Sequence, residues 1–322
     1  MRVPLTIAIS LGDPAGIGPE IVVQALAARP ESNVIVFGDE GVLARAATAA
    51  GVAAPPSAHV RAVTHLNPGE VTPGRPNDAS GRAQLAYLTA ATDAALTGEV
   101  SALVTAPISK EWIARAGFAF PGHTEYLAAR AGVSEFAMML AGPALRVTVA
   151  TTHVPFKDVP RLLTAEGIAS TIWLTAEALV RRFGIAAPRI AVAGLNPHAG
   201  EAGRFGDEEE RLVRPGIELA RARIGAAEIQ AIVSGPLVPD SVFRQAARGE
   251  FDAVVALYHD QGLIPLKLLH FDDGVNLTLG LPFVRTSPDH GTAYDIAGTG
   301  RARPQSFLAA FDLAGTMSQR QG

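Results

Sequence analysis

The 322-residue chain contains no cysteine. Disulfides and thiolate metal ligands are therefore excluded, and any metal must be held by His, Asp or Glu. Charge is also scarce: 18% of residues are Asp, Glu, Lys or Arg, with a formal net charge of −4. Without a basic stripe or tail, the chain lacks the concentrated Lys and Arg that binding nucleic-acid phosphates requires. Long apolar runs are missing as well. No stretch approaches the roughly 18 uninterrupted apolar residues of a membrane-spanning helix, and the positive mean hydropathy comes largely from alanine. The opening MRVPLTIAISLGDPAGIGPE has a short apolar run that enters an acidic, glycine-rich turn instead of a signal-peptide cleavage site. A cytoplasmic enzyme without a membrane or nucleic-acid partner is expected. What is abundant is apolar: hydrophobic residues make up 48%, enough for a well-buried core in one large domain or two α/β lobes.

Apolar runs alternate with helical patterns, as in a mainly parallel sheet covered on both faces. The runs at Leu5–Leu11, Val34–Phe37, Ala102–Thr105, Leu145–Thr151, Arg189–Leu195, Ile229–Val233 and Ala253–Leu257 read as strands. Helices are expected near Pro19, over Arg82–Leu96, over Ala165–Phe183 and at Ser306–Leu313. Residues 55–80, rich in Pro, Gly, Asn and Ser, read as loop. No linker marks a boundary, and a discontinuous arrangement is expected in which the C-terminal segment returns to the first lobe.

Three of the eight histidines share a context: VTVATTHVPF (His153), IAVAGLNPHAGE (His198) and DAVVALYHDQG (His259). Each follows an apolar, β-branched run by a few residues, which places it at the carboxyl edge of a sheet, where ligands bind in open α/β folds. Three neutral imidazoles leave an open coordination position, the layout of a catalytic metal site. Asn196, Asp260 and Gln261 are close enough in sequence to orient the rings. Each histidine taken alone is more readily an ordinary, partly buried residue. The matching context of all three favours the metal. His59, His65 and His270 lack this framing and read as surface or packing residues.

Gly12, Gly16 and Gly18 in GDPAGIGPE form a strand–turn–helix, either to let a ligand approach the backbone or simply to make the turn. The spacing is not GxGxxG, so a conventional dinucleotide fingerprint is not supported. A second glycine-rich segment, SPDHGTAYDIAGTGRARP, is polar and suits a ligand-wrapping loop. Lys267, Asn276 and Arg285 punctuate IPLKLLHFDDGVNLTLGLPFVRTS and fit an anion such as phosphate. His123 and Thr124 of FPGHTEYLA fall at an expected helix N-terminus, which also favours an anion.

In this order, GDPAGIGPE, TAPISKE, PGHTE, TTHVPF, GLNPHAGE, YHDQG, GVNLTLGLPFVRTS and DHGTAYDIAGTG resemble the 4-hydroxythreonine-4-phosphate dehydrogenase family of pyridoxal phosphate biosynthesis. GIGPE and HGTAYDIAGTG are also similar to cofactor elements of the isocitrate and isopropylmalate dehydrogenases, a superfamily that does not use GxGxxG. The resemblance implies an α/β, two-lobed α/β/α isopropylmalate dehydrogenase-like fold with mainly parallel sheets and an interdomain cleft. The lobes would be residues 1–130 plus 275–322 on the cofactor side, and 131–274 with the dimer interface. It implies that His153, His198 and His259 ligate zinc, magnesium or cobalt. His123, Thr124, Lys267, Asn276 and Arg285 would contact the phosphorylated substrate, and Gly12, Gly16, Gly18, His290, Gly291 and Asp295 the NAD (or NADP). It further implies a homodimer in which His259 comes from the partner chain relative to His153 and His198.

The implied reaction oxidises 4-phosphohydroxy-L-threonine to a 3-keto acid, which loses CO2 to give 3-amino-2-oxopropyl phosphate. The metal would act as Lewis acid toward the alcohol while hydride passes to NAD. Asp240 in GPLVPDSVF is the candidate proton acceptor; the same residue reads equally well as a helix N-cap. GEAGRFGDEEE and IPLKLLHFDDGVN are as similar to the branch acting on phosphorylated threonate or erythronate, which is the alternative substrate. From another class, a three-histidine metallohydrolase remains open.

Overall fold

The computed structural model describes residues 5–320. The chain divides into two compact units, one comprising the residues through Val133 together with Leu281–Arg320, the other Ser134–Gly280. The first unit runs β1 (Ile7–Ser10), α1 (Gly18–Ala28), β2 (Val34–Gly38), α2 (Glu40–Ala50), β3 (Val60–Ala62), α3 (Asp78–Leu96), β4 (Ala102–Thr105), α4 (Lys110–Arg115) and α5 (His123–Ala131). The second contains β5 (Ala137–Ala141), β6 (Arg146–Val149), α6 (Val159–Leu162), α7 (Ala165–Arg181), β7 (Arg189–Ala193), α8 (Arg214–Ala226), β8 (Ile232–Leu237), α9 (Pro239–Ala247), β9 (Ala253–Ala256), α10 (His259–Leu269) and β10 (Val275–Leu279). The chain then re-enters the first unit with β11 (Val284–Pro288) and α11 (Gln305–Ser318).

Strands of the first unit are all parallel, in the order β3-β2-β1-β4-β11. Their central members are buried end to end, as expected of a sheet covered on both faces. A core of Leu88, Ala91, Leu103, Ile113, Leu127 and Phe283 packs α3, α4 and α5 against the sheet. Helix α3 begins at Asp78, earlier than the apolar periodicity suggests. Asn77 and Ser80 close a reciprocal capping box there, satisfying two amides that the helix cannot pair itself.

In the second unit the order is β10-β5-β6-β9-β7-β8. The β10/β5 and β5/β6 pairs are antiparallel, whereas β6/β9, β9/β7 and β7/β8 are parallel. The unit boundary thus follows β10, whose ladder partner is β5. Ile168, Ile172 and Leu179 of α7 and Ile217, Ala220 and Ile224 of α8 bury one face of this sheet against Ile190, Val192 and Val255. Val242, Ala246, Leu263 and Leu266 cover the other. No described helix is long and apolar enough to cross a membrane.

Candidate active site

The strands preceding the three singled-out histidines, β6, β9 and β7, are consecutive parallel neighbours. Parallel strands end on the same edge, about 4.8 Å apart, so His153, His259 and His198 all leave one edge of one sheet. The His153 and His259 rings lie with centroids 5.5 Å apart. Together with Thr152, Phe156, Tyr258 and Asp260 they line a hollow of about 280 Å3. His259 Nδ1 sits 2.7 Å from Asp260 Oδ1, a carboxylate–imidazole pair that leaves Nε2 to face a ligand. Two adjacent imidazoles, one oriented by a carboxylate, suit two positions on a divalent ion. His198 is exposed and packs toward Phe205, with centroids 6.0 Å apart. Among the described residues no three His, Asp or Glu side chains converge closely enough to hold a metal. The chain therefore pairs His153 with His259 and leaves His198 apart from them. The division implied by the resemblance separates His259 instead.

Side chains lace these strand ends together. Thr151 Oγ1, just past β6, donates to Leu257 O just past β9 at 2.8 Å. Buried Gln261 accepts from Leu257 N at 2.7 Å and donates to Gly194 O, past β7, at 2.7 Å. The loop carrying His198 is gripped by Glu209, whose carboxylate accepts from Asn196 N at 2.7 Å and Asn196 Nδ2 at 3.0 Å. Of the residues expected to orient the rings, Asp260 touches His259 directly, Gln261 bonds backbone groups, and Asn196 donates its side-chain amide to Glu208 and Glu209. His270 is a packing residue: Ala144 N donates to its Nε2 at 3.2 Å and its Nδ1 faces Asp273 at 3.0 Å.

In the first unit, His123 and Thr124 open α5 as the sequence predicts. His123 Nε2 is buried without a hydrogen-bond partner. Burial, then the charges of Arg285 and Lys110, hold its imidazole well below the usual pKa. Arg285, on β11, is also buried, and its Nη2 donates to Thr105 Oγ1 at the end of β4 at 2.7 Å. Desolvation lowers this guanidinium to about 10, leaving it cationic at neutral pH, with Glu125 supporting the charge. A neutral imidazole, a desolvated cation and a helix N-terminus are a combination suited to an anion. Asn276, on β10 of the second unit, has a buried Oδ1 without a partner, and Lys267 lies on α10.

The turn glycines have an intramolecular explanation. A side chain on Gly12, which has φ +72°, would meet Pro107 O at 2.3 Å; on Gly18 it would meet Leu11 O at 2.6 Å; and on Gly16 it would meet Thr292 at 3.0 Å. The turn itself is buried and serves as the seat of the C-terminal loop. Ile17 N donates to Thr292 O at 2.9 Å, and Glu20 accepts from Gly298 N and Gly300 N. Asp13 accepts from Tyr294 Oη at 2.6 Å. On the outer side of the loop, His290, Gly291 and Asp295 are exposed, which suits a dinucleotide lying along it. Asp240 is exposed in the first turn of α9, whose N-cap is Val238, so it does not cap that helix. Sequence reasoning overlooked Thr105, Asp13, Glu20 and Glu209. Their one sequence signal is a polar residue beside a strand end or a glycine turn.

A family model described as pyridoxal phosphate biosynthetic protein PdxA matches residues 30–314. A 4-hydroxythreonine-4-phosphate dehydrogenase of Desulfosudis oleivorans is 53% identical over 96% of this chain and 94% of its own length. One from Geobacter metallireducens is 47% identical over 98% and 96%. Among solved structures, a 4-hydroxythreonine-4-phosphate dehydrogenase from Klebsiella pneumoniae superposes with a TM-score of 0.84 at 41% identity, covering 98% of this chain and 100% of that one.

Proposed function

The chain belongs to the PdxA family of pyridoxal phosphate biosynthesis, and from that premise we propose which of its residues carry the family's dehydrogenation. It is an oxidoreductase acting on 4-phosphohydroxythreonine, and its electron acceptor is a nicotinamide cofactor. The finer reading is that the cofactor is NAD, that a divalent ion is required, and that the active enzyme is a homodimer.

The observation that carries this reading is the set of three histidines leaving consecutive parallel strands, two of them side by side. His153, His198 and His259 would hold the ion. Bound there, a divalent cation supplies Lewis acidity that lowers the pKa of a substrate alcohol and steadies negative charge during loss of CO2. The rest of the chemistry belongs to the chain's own groups. Arg285 and the first turn of α5 bind the phosphate, with Thr124 and the neutral His123 directing hydrogen bonds to its oxygens. Because His123 is uncharged, it fixes orientation without adding a second desolvated cation beside Arg285. Lys267 and Asn276 supply further substrate contacts. His290, Gly291 and Asp295 bind the nicotinamide dinucleotide, and Gly12, Gly16 and Gly18 keep that loop seated from beneath. Asp240, exposed and ionisable, accepts the alcohol proton.

Support for a homodimer comes from α10, the helix that begins at His259. Ile264 and Leu268, one turn apart on the helix, and Phe271 just past its end are 66%, 84% and 75% exposed, an apolar patch larger than scattered surface residues make. A second copy covering it buries the patch next to the metal ligand.

The test is NADH production from 4-phosphohydroxy-L-threonine, with NAD+ or NADP+ and with or without chelator. Turnover with NAD+ that stops on chelation and returns with zinc, magnesium or cobalt is expected. Chelator-insensitive turnover would reject the ion, and the absence of NADH from any phosphorylated four-carbon hydroxy acid would reject the activity. Measured beside it, phosphorylated threonate and erythronate should give lower kcat/KM.

A further inference from the structure

We propose that Glu209 is the positioning residue for His198, setting the backbone that presents its ring; this rests on the reading of His198 as a metal ligand. The segment around His198 has a conformation that its own sequence disfavours. His198, Ala199, Glu201 and Ala202 have φ of +53°, +53°, +43° and +56°, with Gly200 between them at +79°. L-residues rarely adopt this left-handed region singly and still less in succession. Something outside the segment must hold it.

Glu209 is placed to do so. It is 2% exposed and opens a π-helical turn, Glu209–Val213, that leads into α8. Such turns are uncommon and tend to mark functional positions. One carboxylate oxygen accepts from Asn196 N at 2.7 Å and the other from Asn196 Nδ2 at 3.0 Å. The same carboxylate lies against both flanks of the segment. A Cβ on Gly194 would come within 3.1 Å of Oε1, and one on Gly200 within 2.7 Å of Oε2. A larger residue at 200 would displace Glu209 first, whereas at 194 it would meet Ala199 at 2.8 Å before reaching the carboxylate. Glu208 takes a share of Asn196 Nδ2 at 2.7 Å, but Glu209 alone reaches the backbone amide. Its hydrogen bonds go to Asn196, not to the histidine ring. Its effect passes through residues 194–200 to the direction of His198.

The experiment compares the wild-type holoenzyme with Glu209→Ala and Glu209→Gln in three measurements. Amide hydrogen exchange over residues 196–202, without metal, reports the hold on the loop. Co2+ titration followed by visible absorption reports ligand geometry, and calorimetry reports NAD+ affinity. Glu209→Ala should speed exchange across 196–202 and weaken Co2+ binding about tenfold or more. Glu209→Gln, which keeps an acceptor for Asn196 N, should recover most of both, with NAD+ affinity unchanged throughout. Unchanged exchange in Glu209→Ala, or a parallel fall in NAD+ affinity, overturns the proposal. Should Glu209→Ala fail to fold, Asn196→Ala removes one of the two bonds and is expected to change exchange and Co2+ affinity in the same direction. Wild-type protein that takes up no Co2+ overturns the metal reading, while the exchange measurement still decides the role of Glu209.

Discussion

At Asp13 a single carboxylate joins three parts of the first unit. It accepts from Ala15 N at 2.8 Å, from Tyr294 Oη at 2.6 Å and from Gln84 Nε2 at 3.4 Å. Burial nevertheless raises its pKa, outweighing the donors that favour the ionised form. Asp13→Ala strands those donors in the interior and should cost about 1–3 kcal/mol, read as a lower urea midpoint at constant m-value. His123 gives a prediction with a definite sign in pH. Its imidazole titrates well below the usual range when folded, whereas the unfolded chain protonates it near pH 6.5. Below about pH 6.5 the unfolded state therefore binds the extra proton, and stability falls as the pH drops toward the folded value. Above that range this contribution is fully present. His123→Gln should flatten the acid limb of a plot of urea midpoint against pH; an unaltered slope would show that other groups govern it. At the proposed metal site, His198→Ala should lose the ion on gel filtration, and a variant that retained both ion and turnover would remove His198 from the ligand set.

Among the elements, the ends of β7 and β9 are joined by one side chain. Gln261 satisfies a buried amide on one strand's end and a carbonyl on the other's, so it stands where a ladder bond would be once the strands diverge. Gln261→Leu keeps the volume and orphans both groups. A loss of about 2 kcal/mol or more is expected from urea unfolding, and its absence would mean that the ends are held elsewhere. These strands were legible in sequence because β-branched apolar runs stop abruptly before each histidine, and α7 because its apolar face repeats over many turns. Less was legible where the pattern is short or mixed. β5, Ala137–Ala141, has the sequence AMMLA and contains no β-branched residue. β10 and β11 carry Asn276 and Arg285 within apolar runs, so these residues read as ligand contacts and the strands beneath them were not recognised. The order β6-β9-β7 depends on long-range pairing that no local pattern encodes. The left-handed run at 198–202 is hidden because Ala199 and Ala202 have no preference for it. Glu209 looks like its neighbours in GDEEE, and only burial distinguishes it.

For the molecule as a whole, the question is how a site whose ligands leave adjacent strands is completed. Within one chain His153 and His259 are side by side and His198 is apart, and α10, whose exposed patch starts at Ile264, itself begins at His259. If a second copy covers that patch, it also approaches the edge where the metal would bind, and the two sites become interdependent. Leu268→Asp should then produce a monomer by sedimentation and abolish turnover together with it. Hybrid dimers test the sharing of ligands directly. His198→Ala and His259→Ala are each expected to be inactive alone. If the two ligands of one site come from different subunits, a mixed dimer regains one intact site, because each subunit supplies what the other lacks. Random reassembly of an equal mixture makes half the dimers hybrid, so about a quarter of wild-type activity should return. Combining His153→Ala with each of the others then assigns the third ligand: only pairs drawn from different subunits complement. The resemblance predicts that His153→Ala with His259→Ala recovers activity and His153→Ala with His198→Ala does not, whereas the pairing of His153 with His259 in one chain predicts the reverse. Failure of all three mixtures to recover activity would place every ligand in a single subunit and remove the shared site.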